Sequence, residues 1–113
     1  MDLLRKDRLL KLRKKNRGNI KLIKAIDRLI DDIESADWKN KFDILNDRPD
    51  ADRVHGDNFY FFDINVHRTM IMILFHEQEA EILWVGNHDE SDVTFKGNKK
   101  TIETWIRNQG KIK

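Results

Sequence analysis

The sequence contains no cysteine, which excludes disulfide frameworks, thiolate metal sites and a cysteine nucleophile. No apolar stretch approaches the roughly 20 residues needed to cross a bilayer, and no apolar segment follows the basic N-terminal residues as in a secretion signal. We therefore expect a soluble, cytoplasmic protein. At 113 residues the chain is the size of one domain, and residues 1–113 are predicted to form a single domain.

Motifs for several classes of enzyme are missing as well. The four histidines never stand two, three or four residues apart, the five glycines are scattered singly, and only two serines are present. A zinc site, a phosphate-cradling loop and a serine hydrolase triad are therefore not predicted. We expect neither a metal ion nor a cofactor.

Charge is unevenly distributed along the chain, of which 37% is Asp, Glu, Lys and Arg. Residues 1–24 hold ten basic and two acidic side chains, a net charge of +8. Residues 25–92 carry a net charge of −11, and residues 93–113 carry +5. If the fold brings the two basic ends together, they form a cationic face that attracts the phosphates of nucleic acid. Solvated helix faces without a partner explain the same charges equally well.

Two helices are predicted in the N-terminal part. Leucines among basic residues from about 7 to 16 indicate a helix with a narrow apolar stripe and a basic outer face that includes Arg13 and Lys14. After an Asn19 cap, a second helix is indicated by isoleucines that recur at three- and four-residue steps, with Leu22 and Leu29 widening the apolar stripe. The isoleucines are Ile20, Ile23, Ile26, Ile30 and Ile33. Near the start, Leu3 and Leu4 fit an edge strand and the beginning of a helix equally well.

The period of the apolar residues then changes from helical to extended. Residues 35–57 lack periodicity and contain the single proline, which predicts a loop with at most a short turn around residues 42–45. Residues 58–64, 68–76 and 81–85 are apolar and aromatic, and their short connections predict three strands in an antiparallel meander. A short C-terminal helix is predicted over residues 101–106. The result is an α+β fold whose helices pack on a small antiparallel sheet, with two helices at the N-terminal side.

The aromatic residues of the first strand are expected to contribute to the core. Alternation along a strand turns about half of them inward, so either Phe59 and Phe61 or Tyr60 and Phe62 are mainly core. The three tryptophans, Trp38, Trp84 and Trp105, are also expected to act as packing anchors rather than as ligand contacts.

One histidine and one arginine are candidates for chemistry. His88 follows Gly86 just past the third strand, where a side chain projects from a rigid scaffold, and Arg68 lies at the start of the middle strand, at the same end of the meander. Metal-free RNA cleavage needs a base for the ribose 2′-hydroxyl, cations for the phosphorane and an acid for the leaving oxygen. His88 and Arg68 suit these tasks, with Glu90 or Asp92 orienting the histidine. A surface histidine and a solvated arginine are the alternative interpretations.

These residues also resemble a known family. The segments Ala36-Asp37-Trp38, Phe61-Phe62-Asp63-Ile64, His67-Arg68 and Trp84-Val85-Gly86-Asn87-His88-Asp89-Glu90 are similar, in order and spacing, to HigB toxins of the RelE/ParE superfamily over about residues 20–108. The resemblance implies a RelE-like fold, ribosome-dependent cleavage of messenger RNA as an mRNA interferase, and neutralisation by a HigA-type helix-turn-helix antitoxin.

The same resemblance implies roles for single residues. Arg68 matches the family's basic strand residue, His88 its motif histidine and Glu90 its motif glutamate. The family motif usually continues with tyrosine, whereas this chain has Ser91, whose small hydroxyl predicts reduced or lost activity. We expect phosphate contacts from five basic residues near the ends of the chain, Arg13, Lys14, Lys96, Lys99 and Lys100.

Two other functions remain open at this point. One is a ParE-like inhibitor that binds DNA gyrase without cutting RNA. The other is a non-toxic regulator that binds RNA. The basic ends of the chain fit all three functions, but a motif histidine close to a basic strand residue favours RNA cleavage.

Overall fold

The computed structural model describes residues 1–113, which form five helices and one five-stranded mixed sheet. None of the helices has the length and apolar character needed to span a membrane. The elements in chain order are β1 (Asp2–Leu4), α1 (Asp7–Lys15), α2 (Ile20–Glu34), α3 (Lys41–Asp47), β2 (Asp52–His55), β3 (Phe59–Ile64), β4 (His67–Leu74), β5 (Glu79–Asn87), α4 (His88–Phe95) and α5 (Lys99–Asn108).

The sheet has the strand order β1-β5-β4-β3-β2. Strands β3, β4 and β5 form the antiparallel meander predicted from the three apolar runs. The N-terminal leucines belong to a strand, and β1 pairs parallel with the start of β5. The prediction of a purely antiparallel sheet was therefore wrong, because the connection from β1 to β5 spans most of the chain and leaves the direction of β1 free.

The prediction of a loop over residues 35–57 was also wrong in part. Helix α3 begins after Asn40, whose side chain accepts hydrogen bonds from the backbone N–H groups of Phe42 and Asp43. Strand β2 then pairs antiparallel with β3 at the edge of the sheet. Both elements are short and polar, so neither shows the apolar period that reveals a longer element.

Helix α4 was missed for the same reason. Only Ser91 and Phe95 of its eight residues are buried. These two residues stand four positions apart, which is enough to anchor one face of a short helix but too little to mark it in the sequence.

Two cores lie on opposite faces of the sheet. On one face, α1, α2 and α3 pack against Tyr60, Phe62 and neighbouring strand residues. On the other face, α4 and α5 pack against Phe59 and Phe61. The sequence pattern did not reveal that both faces are covered, and both alternatives for the aromatic strand are correct, one on each face.

An arginine fixes the segment that leads into β2. Arg48 has a side chain only 12% exposed and makes ion pairs with Asp32 at 3.2 Å and Asp50 at 2.9 Å. It also donates to the backbone carbonyl of Asp63. These contacts tie α2, the approach to β2 and the end of β3 together, which holds β2 at the sheet edge where it borders the candidate site.

Candidate active site

The start of β4 and the end of β5 lie side by side. The antiparallel register pairs His67 with Asn87 and Arg68 with Gly86. His88 is the next residue and begins α4. The structure therefore brings the backbone of the two sequence-predicted residues, Arg68 and His88, to the same end of the sheet.

The junction between β5 and α4 is a capping box. The Asn87 side chain accepts a hydrogen bond from the Glu90 backbone N–H at 2.7 Å, and the Glu90 carboxylate accepts one from the Asn87 backbone N–H at 2.9 Å. This reciprocal pair satisfies N–H groups that the first turn of a helix leaves without partners. The Glu90 carboxylate therefore contacts the start of the helix and does not bind His88. His88 itself is exposed at the first position of α4.

Close packing explains the glycine of this segment. A Cβ atom on Gly86 would lie 2.6 and 2.7 Å from ring carbons Cζ2 and Cη2 of Trp84, and 3.3 Å from Cβ of Glu90. The Trp84 ring is itself held by an edge-to-face contact with Phe95, with ring centroids 5.1 Å apart. A side chain at position 86 would therefore push against both a packed ring and the first turn of α4.

Arg68 is held in place but keeps donors free. Its guanidinium carbon lies 4.9 Å from the centroid of the Phe61 ring, and its Nε lies 3.5 Å from Oδ1 of Asp63. The side chain is 28% exposed, Nε is buried without a hydrogen-bond partner, and no side-chain hydrogen bond within the protein involves the other guanidinium nitrogens. A cation stacked on a ring and only loosely paired has the donors needed for an incoming phosphate oxygen.

Arg68 borders a cleft of about 200 Å³ between β2, α4 and the start of α5. Ser91 and Lys99 line the same cleft, and Ser91 is only 4% exposed. His88 and Glu90 are not among the lining residues. The structure thus groups Arg68, Ser91 and Lys99 in one concave site. The motif histidine and glutamate, His88 and Glu90, lie outside the lining of this cleft.

Three further charged residues line the cleft; two of them, Asp52 and Arg53, lack a role in the sequence-based site, whereas Asp92 was expected to orient His88. Asp52 and Arg53 come from β2, and Asp92 comes from α4. Arg53 also lines a neighbouring cleft of about 570 Å³ together with His55. The only sequence signal for Arg53 and His55 was their alternation on either side of Val54, which is too short a pattern to identify a strand.

His67 lies in an environment that disfavours its charged form. Burial lowers the pKa of its imidazole; the nearby Glu90 opposes this shift, and His88 adds to it. Nδ1 of His67 is buried and has no hydrogen-bond partner. His67 and Arg68 follow each other on a strand, so their side chains leave opposite faces.

The basic residues predicted to contact phosphates fall into two groups. Lys99 and Lys100 begin α5 and line the 570 Å³ cleft, and Lys96 ends α4 in a left-handed conformation with φ of 55°. Arg13 and Lys14 lie on α1, at the first core, and Arg13 is engaged by Asp27 through bonds of 2.9 and 3.2 Å. The fold therefore does not unite the two groups in one pocket.

No three His, Asp or Glu side chains are arranged to hold a metal ion. The chemistry available at this end of the sheet is that of arginine and lysine cations, imidazoles and carboxylates. Such groups serve proton transfer and the stabilisation of developing negative charge.

Comparison with known proteins shows the family. A family model named HigB_toxin, described as the RelE-like toxic component of a toxin-antitoxin system, matches residues 23–94. No curated protein matches the chain. The matched region covers more than half of the chain and includes Arg68, His88, Glu90 and Ser91, whereas all five predicted phosphate-contacting residues lie outside it.

Proposed function

This chain belongs to the HigB family of RelE-like toxins, and from that premise we propose that it arrests translation by cutting messenger RNA on the ribosome. Family membership implies an antitoxin partner; a HigA-type helix-turn-helix protein is the partner we propose. The observation that carries the proposal is the placement of Arg68, stacked on Phe61 with a side chain that is 28% exposed, in a cleft that Lys99 also lines.

The proposed reaction is a transfer within the RNA strand. A base removes the proton of a ribose 2′-hydroxyl, and the 2′-oxygen attacks the adjacent phosphorus. The bond from phosphorus to the 5′-oxygen breaks, and an acid protonates that oxygen. The products are a 2′,3′-cyclic phosphate and a 5′-hydroxyl, and no metal ion is needed.

The cations stabilise the charge that builds up on the phosphorane. The planar guanidinium of Arg68 engages two phosphate oxygens at once, which a lysine ammonium does not. Lys99, at the rim of the same cleft, adds a second positive charge. Loss of one such donor typically lowers the rate by about 100- to 1000-fold.

His88 is the group we assign to proton transfer. It is exposed at the first residue of α4, where an RNA strand seated on Arg68 meets it. Glu90 acts on His88 indirectly, because its capping contacts set the first turn of the helix; in this scheme it is a positioning residue. Ser91 borders the cleft, so a tyrosine side chain at that position would extend into it.

The RNA path continues from the cleft across the start of α5. Arg53 and Lys99 line both the 200 Å³ cleft and the neighbouring 570 Å³ cleft, which Lys100 and His55 also border. Lys96 is exposed between α4 and α5. A run of cations next to a catalytic cleft holds successive phosphates of a strand.

The test uses purified ribosomes carrying a defined messenger. We expect Ser91→Tyr to cut at least as fast as the original chain, and Arg68→Ala or His88→Ala in that background to lose most of the activity. Arg68→Lys keeps the positive charge but loses the planar guanidinium that binds two phosphate oxygens at once. This variant should therefore retain only part of the cleavage activity. His76→Ala, an exposed histidine at the opposite end of β4, is the matched control and should leave cutting unchanged.

The ends of the RNA fragments identify the reaction. Fragments with 2′,3′-cyclic phosphate ends are expected. Cleavage that survives the loss of both Arg68 and His88 contradicts the residue assignment. Growth arrest with intact messenger and blocked DNA supercoiling contradicts the proposed function and favours a gyrase inhibitor.

A further inference from the structure

A second basic groove, separate from the cleft, runs between α1, β5 and α5. Its volume is about 350 Å³, none of its lining residues is acidic, and it shares no lining residue with the Arg68 cleft. Its walls combine cations from α1 with the faces of Trp84 and Trp105. The RNA-cleaving function proposed above gives this groove no task.

The cations of the groove have no charged partner within the protein. Arg8, Lys11 and Lys15 stand three and four residues apart, which places them along one side of α1. None of them takes part in a salt bridge, whereas the cations on the side of α1 near α2 do. Those pairs are Lys6 with Glu34 at 3.0 Å and Arg13 with Asp27 at 2.9 Å. Positive charge is therefore neutralised toward α2 and uncompensated in the groove.

The apolar floor of the groove is rigid. Trp84 and Trp105 are both half-buried and pack edge-to-face on Phe95, at centroid distances of 5.1 and 5.3 Å. One wall is fixed as well, because Nη1 of Arg8 donates to the backbone carbonyl of Leu83. Aromatic surface that is already ordered costs little entropy when a ligand covers it.

We propose that this groove receives an acidic segment of the antitoxin, with an apolar side chain seated on the two tryptophans. The polar lining groups are cationic donors apart from Gln109. Carboxylates only accept hydrogen bonds and match such a lining. RNA phosphates match it as well, so the choice of occupant follows from the antitoxin partner that the family implies, and RNA is the alternative outcome of the test. The proposal depends on the chain belonging to a toxin-antitoxin family and not on the proposed RNA cleavage.

The first experiment measures binding of two fluorescent probes by anisotropy. One probe is a peptide of repeating Phe-Glu-Glu units, and the other is polyuridine RNA of similar net charge. Lys11→Glu combined with Lys15→Glu reverses two groove charges. Lys21→Glu combined with Lys24→Glu makes the same change on exposed, unpaired lysines of α2 and is the control. We expect the groove variant to bind the peptide at least about tenfold more weakly than the original chain does. The control should bind the peptide nearly as tightly as the original chain.

The second experiment locates a cognate antitoxin that is co-expressed with this chain. A photo-crosslinking amino acid replaces Gln109 in the groove or, as control, the exposed Asn46 on α3. Crosslinks to the antitoxin from position 109 and not from position 46 are expected.

Three results would overturn the proposal. One is equal peptide affinity in the groove and control variants. Another is a groove variant that loses affinity for polyuridine but not for the peptide, which makes the groove an RNA site. The third is an antitoxin that crosslinks only from position 46. None of these measurements depends on RNA cleavage, so their failure is distinct from failure of the proposed function.

Discussion

Gly86 and Glu90 have structural tasks that their sequence pattern did not reveal. The pattern Gly-x-His-x-Glu drew attention to its histidine as a chemical group. In the structure, Gly86 leaves room for the Trp84 ring and Glu90 completes the cap of α4. Two residues of the motif thus set the backbone that presents His88, and the motif describes a scaffold as much as a catalytic group.

Replacing Gly86 with alanine should destabilise the protein. The added Cβ would lie within 2.7 Å of two Trp84 ring carbons, and Trp84 cannot retreat without leaving Phe95. Overpacking of this kind costs about 1–3 kcal/mol. The measurement is the free energy of unfolding from urea denaturation.

Gly18→Ala is the matched control, because a Cβ there meets nothing within 4 Å. It should change the free energy of unfolding by less than about 1 kcal/mol. Equal losses at positions 86 and 18 would show that the Trp84 contact is not the reason for glycine.

Helices α2 to α5 each begin after an asparagine whose side chain accepts a hydrogen bond from the first turn: Asn19, Asn40, Asn87 and Asn98. Asparagine is among the best N-cap residues. At position 19 a clear apolar period follows this signal, so the helix that begins there was predicted with its cap. Two of the other three caps begin elements too short or too polar to show such a period, and these are the helices that were missed.

The cap of α4 allows the role of Glu90 to be tested. Glutamine also forms a capping box, so Glu90→Gln should keep both stability and cleavage in the Ser91→Tyr background. Glu90→Ala should lose about 0.5–2 kcal/mol of stability and part of the cleavage, because the first turn that carries His88 loosens.

Urea denaturation and the ribosome assay, run on the same preparations, check this prediction. Full stability combined with strongly reduced cleavage in Glu90→Gln would give the carboxylate itself a part in the chemistry. Glu77→Gln is a suitable control, since Glu77 is exposed in the turn between β4 and β5, far from the cleft.

Periodicity located α2 and a stripe that includes all four of its fully buried residues, but the stripe is wider than the buried face. The sequence stripe runs through Ile20, Ile23 and Ile30, yet Ile20 is 66% exposed and the other two are half-buried. The fully buried residues are Leu22, Ile26, Leu29 and Ile33. The seven isoleucines and leucines of α2 form a stripe that is wider than the helix surface in contact with the rest of the protein. Packing against the sheet therefore decides which of these residues are fully buried.

Across the whole molecule, positive charge is divided between two surfaces. The sequence left open whether the basic ends of the chain meet in one cationic face. Helices α1 and α5 do border a common groove, but its cations come from α1 alone. The lysines at the start of α5 line the clefts near Arg68 instead. This division leaves room for two anionic partners at once.

The stability of the whole molecule should depend on pH through His67. Burial lowers the pKa of this imidazole below its ordinary value of about 6.5. As the pH falls through 6.5, the unfolded chain therefore takes up a proton before the folded protein does. The free energy of unfolding should decrease in that range, and His67→Gln should weaken the decrease.

Urea denaturation at several pH values between about 5 and 8 measures this slope. His76→Gln, at an exposed position between β4 and β5, should keep the slope of the original chain. The attribution to His67 would be refuted if His67→Gln and the original chain lost stability in parallel on acidification.

The sequence by itself determined the elements that carry a strong apolar pattern: α1, α2 and the meander of β3, β4 and β5. It also determined that Arg68 and the start of α4 meet at one end, because antiparallel order follows from short connections. The family followed from local segments whose order and spacing are properties of the chain.

Only the tertiary structure decided the direction of β1, the existence of β2 and α4, and the second core. These elements are short, and contacts with distant residues rather than their own periodicity stabilise them. The same limit applies to the site: which side chains line a cleft depends on how α4 and α5 pack on the sheet. That packing turned Ser91 and Lys99 toward Arg68 and left His88 exposed at the end of β5.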